Sequence, residues 1–122
     1  MGLIYEELTE KIIQAFYKVY NVLGTGYLES IYQNALVIEL EDIGLGYETE
    51  KLVEIFYRNK KVGEHRLDLV IEHKVIVEIK AVAEFHPAHQ AQVISYLKAT
   101  GSKVGLLVNF GKDKVEYKRL VL

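Results

Sequence analysis

The stretch Arg66-Leu67-Asp68-Leu69-Val70-Ile71-Glu72-His73-Lys74-Val75-Ile76-Val77-Glu78-Ile79-Lys80 decides the fold of this chain. Two short runs of branched apolar residues are joined by a polar trio, a pattern that predicts a β-hairpin. A three-residue loop pairs Ile71 with Val75, Leu69 with Val77, Asp68 with Glu78 and Leu67 with Ile79. A slip of one residue would mix charged and apolar positions on both faces, which burial disfavours. The pattern therefore predicts an apolar face running from Leu67 to Ile79, with Asp68, Glu78 and Lys80 on the other face.

The composition is that of an ordinary globular chain. Its 122 residues, 50% hydrophobic and 26% charged, predict a single domain over residues 1–122. The absence of cysteine excludes disulfides and thiolate metal sites and favours an intracellular protein. The apolar run Val104 to Phe110 is too short to span a bilayer, and the first residues lack the pattern of a signal peptide. We therefore expect a cytoplasmic protein with no membrane partner.

Charge is unevenly distributed along the chain. Residues 1–50 contain 2 basic and 9 acidic side chains, whereas residues 51–122 contain 13 basic and 8 acidic ones, which together give the net charge of −2. The overall balance argues against a non-specific DNA coat, which would be basic throughout. The basic second half could hold a phosphate backbone locally. A solvated charged surface with no partner explains the charge equally well.

The remaining chain divides into helices and strands by its periodicity. Apolar residues recur at helical spacing over residues 3–23, and a second helix follows the Gly24-Thr25-Gly26 break and ends near Gly44. Its wide apolar face predicts that this helix is well buried. A strand begins at Tyr47, a third helix runs from Pro87 to about Thr100, and further strands cover residues 104–110 and roughly 114–121. The order α-α-β-β-β-α-β-β predicts an α/β fold with a mixed sheet flanked by helices.

The charged face of the hairpin could carry chemistry. Two carboxylates, Asp68 and Glu78, offer oxygen ligands suited to Mg²⁺ or Mn²⁺. A bound cation could polarise a phosphoryl oxygen and generate a nucleophile from water. Lys80 lies two residues from Glu78, so it points to the same side and could orient that water. The alternative is an exposed cross-strand salt bridge of little energetic weight, and these residues alone favour neither interpretation.

Two helices offer further polar side chains. Glu29 follows the glycine-rich turn, where the helix dipole favours a carboxylate in any case, and it could also bring a ligand to the metal. In the third helix His89, Gln92 and Tyr96 form one polar stripe, while Ala91, Ile94 and Leu97 form another face for the core. The stripe is either a solvent face or a lining of the Asp68–Glu78 site. The sequence gives little support for a phosphate-binding P-loop, structural zinc or a Ser/His/Asp triad.

Together these residues resemble the PD-(D/E)XK nuclease superfamily. The shared pattern is Asp68, nine intervening residues, Glu78-Ile79-Lys80, and then a helix with Gln92 and Tyr96. More narrowly, the chain resembles the GxxExxY family through Gly26-Tyr27-Leu28-Glu29-Ser30-Ile31-Tyr32. Five other stretches agree with that family, and together the matches cover nearly the whole chain: Arg66-Leu67-Asp68-Leu69, Val77-Glu78-Ile79-Lys80-Ala81, His89-Gln90-Ala91-Gln92, Ser95-Tyr96-Leu97 and Gly105-Leu106-Leu107-Val108-Asn109-Phe110. Leu67 stands where the superfamily name has proline, at a position that varies.

The resemblance implies a restriction-endonuclease-like αβββαβ core with an extra N-terminal helix. It implies a Mg²⁺- or Mn²⁺-dependent nuclease acting on DNA or RNA, in which Glu29, Asp68 and Glu78 bind the metal. Lys80 is then the catalytic lysine, and Gln92 helps to orient the water. Four other residues are candidates for substrate contact or for positioning, namely Arg66, His89, Tyr96 and Tyr32. The alternatives are a non-catalytic nucleic-acid- or protein-binding module that retains the fold, in which a partner or a homodimer would add surface, and a structural salt-bridge cluster.

Overall fold

The computed structural model describes residues 2–122, and its elements follow the predicted order. The elements are α1 (Glu6–Leu23), α2 (Glu29–Asp42), β1 (Tyr47–Tyr57), β2 (Lys60–Ile71), β3 (Val75–Lys80), α3 (Pro87–Thr100), β4 (Val104–Asn109) and β5 (Glu116–Val121). The strands form one sheet in the order β1-β2-β3-β4-β5. Strands β3 and β4 run parallel and the other neighbours run antiparallel. The predicted α/β fold with a mixed sheet is therefore confirmed, and α1 is the additional N-terminal helix.

The helix ends follow local sequence signals. Helix α1 ends at Gly24, whose φ of 65° suits a residue without a side chain. Helix α3 begins with a reciprocal cap, because the His86 ring accepts from the Ala88 N–H and the His89 ring accepts from the His86 N–H. It ends at Gly101, with φ of 74°. In residues 2–122, no helix combines the length and the apolar composition needed to cross a membrane.

The sheet lies between two helical layers. Helices α1 and α2 cover one face, where Phe16 and Leu36 pack with alternate residues of β3 and β4. Helix α3 covers the other face through Leu97 and Tyr96. Gly105 of β4 allows α3 to approach closely, since a Cβ atom there would lie 2.6 Å from Val93 Cγ1. The middle strands are thus buried on both sides, which explains their continuous apolar sequence.

The central hairpin has the predicted register next to its loop. Ile71 pairs with Val75 and Leu69 with Val77, as the Glu72–Lys74 loop requires. The prediction that Asp68 pairs with Glu78 and Leu67 with Ile79 is wrong, because the β2–β3 ladder ends at the Leu69–Val77 pair. Leu67 also leaves the predicted apolar face and packs in the α3 cluster. The β1–β2 ladder is irregular at the same level, where Glu50 adopts φ of 51° between its paired neighbours.

Two predictions about helix burial are confirmed only in part. Only one edge of α2 is buried, through Tyr32, Leu36 and Leu40, whereas its other edge is exposed at Leu28 and Ile38. The reason is that α2 packs against α1 and the sheet with one stripe, and the described chain has no further layer outside it. On α3 Leu97 is buried and Ile94 packs half-buried against the same cluster, as predicted, whereas Ala91 is exposed. The other buried residues of this helix are Val93 and Tyr96.

Candidate functional site

Asp68 and Glu78 lie where the central hairpin opens. Beyond the last ladder pair, the Oδ2 atom of Asp68 accepts a hydrogen bond of 2.9 Å from the backbone N–H of Ile79. Buried N–H groups require a hydrogen-bond partner. Here a side-chain carboxylate accepts the hydrogen bond that a backbone carbonyl of the paired strand would otherwise accept. The carboxyl groups of Asp68 and Glu78 come close enough to share a hydrogen bond when one of them is protonated. The opening of the hairpin thus brings the two carboxyl groups together without strand pairing between their residues.

Glu78 is a buried carboxylate with incomplete hydrogen bonding. Its side chain is 6% exposed, and its Oε2 atom lies 3.3 Å from the Nζ atom of Lys80. Its Oε1 atom is buried and has no hydrogen-bond partner in residues 2–122. Burial raises the pKa of Glu78 to about 8, with a further rise from the Asp68 carboxylate that Lys80 opposes. Burial also raises the pKa of Asp68, against the lowering effect of the Ile79 N–H. The pair therefore disfavours carrying two negative charges without a nearby cation.

The polar stripe of α3 faces the sheet and this pair. Tyr96 is buried, and its pKa is raised by burial first and then by the charges of Glu78 and Asp68. Its hydroxyl therefore stays protonated and can donate. His89 and Gln92 are half-buried on the same stripe. The pKa of the His89 ring is lowered by partial burial and by the charges of Lys80 and His86, so the ring stays neutral near pH 7.

Glu29 reaches the site from the opposite helical layer. It is the first residue of α2 and is exposed. Loss of hydration raises the pKa of Glu29, Lys80 lowers it, and Asp68 raises it. Glu29 is therefore within electrostatic range of both site residues and lies at the edge of the opening.

Tyr32 fixes the turn that leads to Glu29. It is fully buried and its ring stacks on Phe110, with 4.5 Å between centroids and an angle of 3°. Its hydroxyl donates to the Gly24 carbonyl over 2.6 Å and accepts from the Tyr27 N–H over 3.3 Å. Within Gly26-x-x-Glu29-x-x-Tyr32, the tyrosine thus holds the turn whose following helix carries the glutamate. Because its hydroxyl is occupied in this way, Tyr32 acts as a positioning residue.

Arg66 lies on the strand that carries Asp68. Its side chain is 63% exposed, and its Nη1 atom lies 4.0 Å from the Oε2 atom of Glu50. This contact is weak and leaves the guanidinium exposed to solvent.

Sequence reasoning missed Asn109 as a site-supporting residue. Asn109 is fully buried at the end of β4, where its Oδ1 accepts from the N–H groups of Val82 and Gly111 and its Nδ2 donates to the Val82 carbonyl. These bonds fix the chain directly after Lys80. Gly111 packs against the same segment, since a Cβ atom there would lie 2.3 Å from the Val82 nitrogen. The available signal was an asparagine in an otherwise apolar strand.

The donor set fits a divalent cation that completes its shell with water or substrate. Residues 2–122 contain no group of three or more His, Asp or Glu side chains arranged to hold a metal, so Glu29 does not join Asp68 and Glu78 as a preformed third ligand. Mg²⁺ is commonly bound through one or two carboxylates together with substrate phosphates. The unpartnered Oε1 atom of Glu78, beside a second carboxylate, is an oxygen available to such an ion.

Comparisons with known proteins identify a family and a similar fold. A model of the PD-(D/E)XK nuclease superfamily matches residues 6–120. The fold is similar to the crystal structure of SSO0001, with a TM-score of 0.59 and 22% identity, covering 96% of this chain and 59% of that one. The chain thus spans about three fifths of the length of SSO0001, and the likeness shows the fold alone. No curated protein matches the sequence.

Proposed function

The chain belongs to the PD-(D/E)XK nuclease superfamily, and on that premise we propose that it is a divalent-metal-dependent nuclease hydrolysing phosphodiester bonds in DNA or RNA. The observation that carries the proposal is the buried Glu78 carboxylate, with its unpartnered oxygen, beside the half-buried Asp68 and the Lys80 ammonium group. Nucleases of this superfamily generally use divalent metals. The proposal includes membership of the GxxExxY family and one nuclease domain over residues 1–122.

Asp68 and Glu78 would hold Mg²⁺ or Mn²⁺ through their carboxylate oxygens. When bound, such an ion polarises a phosphoryl oxygen and lowers the pKa of a coordinated water. The charges of the pair support this role, because burial raises the pKa of both carboxyl groups and the Asp68 charge raises that of Glu78 further. A bound cation would remove that penalty. Glu29 lies at the edge of the opening, where it would contact the ion's water shell.

Lys80 is placed to act on the attacking water and on the phosphate. The Lys80 side chain is 17% exposed, and its Nζ atom lies 3.3 Å from Glu78 Oε2. Lys80 can therefore donate toward the opening while it stays beside the pair. Its backbone carbonyl accepts from the Phe110 N–H over 2.9 Å, which fixes the end of β3. Lys80 would orient the water and stabilise the negative charge that develops on the phosphoryl oxygens. Gln92 would help to hold the same water.

Cleavage assays with site variants test the proposal. Purified protein is incubated with single-stranded DNA, duplex DNA and RNA, each with Mg²⁺, with Mn²⁺ and with a chelator. We expect metal-dependent cleavage that falls by at least about 100-fold in Lys80→Ala and in Asp68→Ala, since each removes charge that acts on the transition state. Lys103→Ala, which changes an exposed lysine outside the site, serves as the matched control and should keep full activity.

Two measurements separate lost chemistry from lost folding. Circular dichroism checks that each variant keeps the wild-type spectrum, and calorimetry measures Mn²⁺ binding to wild type and to Asp68→Ala. Cleavage that survives both substitutions in folded protein contradicts the assignment of the site. Metal binding without cleavage of any substrate would favour the non-catalytic binding module instead.

A further inference from the structure

The outer half of the β1–β2 hairpin projects beyond the rest of the sheet. Strand β1 pairs with β2 from Tyr47–Ile71 to Tyr57–Lys60, whereas β3 pairs with β2 only over Leu69–Ile71. Residues 52–66 therefore form a two-stranded ribbon. Near its base the ribbon is anchored on α3, because His65 Nε2 lies 2.8 Å from Ser95 Oγ and the His65 ring contacts Tyr96.

The end of this ribbon, residues 56–62, is called the hairpin tip. All seven of its residues are exposed: Phe56, Tyr57, Arg58, Asn59, Lys60, Lys61 and Val62. Phe56 is 60% exposed and Tyr57 is 66% exposed. Because adjacent residues of a strand point to opposite faces, the two aromatic rings stand in water on the two faces of the ribbon. The tip has three basic side chains and no acidic one. Exposed aromatic and basic side chains grouped in this way are typical of a binding surface.

Ion pairing leaves two of the three basic groups available. Lys61 is held by Glu64 at 3.2 Å and Glu54 at 3.7 Å. Arg58 and Lys60 form no ion pair within residues 2–122. The turn itself uses Arg58 and Asn59 at φ of 52° and 66°, a conformation that favours Asn but disfavours Arg. An arginine at this position opposes the local backbone preference, as happens where function selects the residue.

We propose that the hairpin tip is a binding arm for single-stranded nucleic acid, with Phe56 and Tyr57 stacking on bases and Arg58 and Lys60 contacting phosphates. The inference rests on the proposed nuclease function, since the hairpin tip would give the substrate of the nuclease site a second point of contact. Aromatic rings bind bases without regard to sequence, and unpaired cations bind the backbone. The polyanionic partner follows from the charge of the tip, because the neighbouring Glu54 and Glu64 pair with Lys61 and leave the charges of Arg58 and Lys60 uncompensated.

The distance between the tip and the site predicts a length dependence. Lys60 and Asp68 are separated by eight residues along β2, which is about 26 Å at the rise of a strand. A strand stacked at 3.4 Å per nucleotide needs about eight nucleotides to span that distance. Longer strands should therefore contact both the site and the tip, whereas shorter ones should reach only the site.

Fluorescence anisotropy tests the arm without requiring cleavage. Labelled oligothymidylates of about 5 and about 20 nucleotides are titrated with Lys80→Ala protein over a range of salt concentrations. For the longer strand, adding Phe56→Ala or Tyr57→Ala should weaken binding by about 5-fold to 100-fold. Adding Arg58→Ala with Lys60→Ala should reduce the salt slope by about 1.4, which is 0.7 for each lost phosphate contact. The short strand should bind all variants within about 2-fold.

Matched controls and outcomes keep the arm distinct from the nuclease proposal. Lys11→Ala with Lys18→Ala removes the same charge from α1, and Tyr17→Ala removes a ring that is 45% exposed; both should leave binding unchanged. Tip-dependent binding without cleavage by the wild-type protein would refute the nuclease proposal alone. If tip substitutions in the otherwise wild-type protein leave the cleavage of long strands unchanged, the binding-arm proposal alone would be overturned. A dimer that dissociates in Tyr57→Ala, seen by light scattering, would identify the tip as a self-interface and also overturn it.

Discussion

The raised pKa of Glu78 predicts that the metal-free protein loses stability as pH rises. Burial and the neighbouring Asp68 raise the pKa of Glu78 from 4.5 to about 8 in the folded state. A group whose pKa is higher in the folded state than in the unfolded state contributes most to the free energy of unfolding at pH values below its unfolded pKa. Its contribution is then lost as pH rises toward the folded pKa. The loss should therefore fall between pH 4.5 and pH 8, in contrast to the usual acid destabilisation of a paired carboxylate.

The size of this loss follows from the shift. Each pKa unit corresponds to 1.36 kcal/mol, so a full shift of about 3.5 units corresponds to about 5 kcal/mol, of which about 4 kcal/mol is lost between about pH 5 and pH 8.5. Asp68 and Glu78 interact closely enough to titrate together, so the shift is divided between the two groups. The free energy of unfolding should therefore fall by at least about 2 kcal/mol. Glu78→Gln keeps the shape of the side chain without its charge, so its stability should change by less than half as much over this range.

Urea unfolding at several pH values measures the effect. The free energy of unfolding is compared between wild type, Glu78→Gln and the exposed control Glu10→Gln, each in chelator and in Mg²⁺. Mg²⁺ should stabilise wild type more at pH 8.5 than at pH 5, since the ion binds the deprotonated pair of the folded state. Glu10→Gln should follow wild type. Parallel pH profiles for wild type and Glu78→Gln would refute the reasoning, because Glu78 would then titrate as an exposed carboxylate does.

Three substitutions test the contacts that support the site, each measured by urea unfolding. Asn109→Ala leaves the Val82 N–H without its acceptor and should cost about 2–4 kcal/mol; an unchanged midpoint would show that water replaces the side chain. Tyr32→Phe keeps the stacking ring but removes the bond to the Gly24 carbonyl, so it should cost about 1–2 kcal/mol. Gly111→Ala places a methyl group against the Val82 backbone and should cost about 1–3 kcal/mol, whereas Gly63→Ala, with open space around it, should cost less than 1 kcal/mol.

The sequence was sufficient for the elements and for the register beside the loop. Alternating apolar residues and a polar trio determine the Ile71–Val75 pair, because burial penalises any slip. The order of helices and strands followed from periodicity and from stops such as Gly24 and Gly101. Strand β5 begins at Glu116, two residues after the expected start, since a strand boundary depends on its neighbour β4.

The opening of the hairpin could not be read from the pattern. A period of two predicts that pairing continues through Asp68 and Glu78, but the Asp68 carboxylate takes the Ile79 N–H and ends the ladder. Whether the Ile79 N–H donates to a side chain or to a backbone carbonyl depends on the positions of these groups in the folded chain. The periodicity of the sequence does not contain that information. The exposure of one edge of α2 could not be predicted for a similar reason. A wide apolar helix face predicts burial only where another layer exists to cover it, and Leu28 and Ile38 have none in the described chain.

The geometry of the site depends on polar bonds that only the folded chain can make. Asp68 holds Ile79 across the open hairpin, Asn109 holds Val82 after β3, and Tyr32 holds the turn before α2. Each bond joins a side chain to a backbone group of a different segment, so no single element can preform the site. The same bonds occupy groups that would otherwise complete regular strands and turns. Strand pairing therefore stops beside Glu78. In the proposed metal site, a bound cation would relieve the repulsion that remains between the two carboxylates, and this relief would contribute to its affinity.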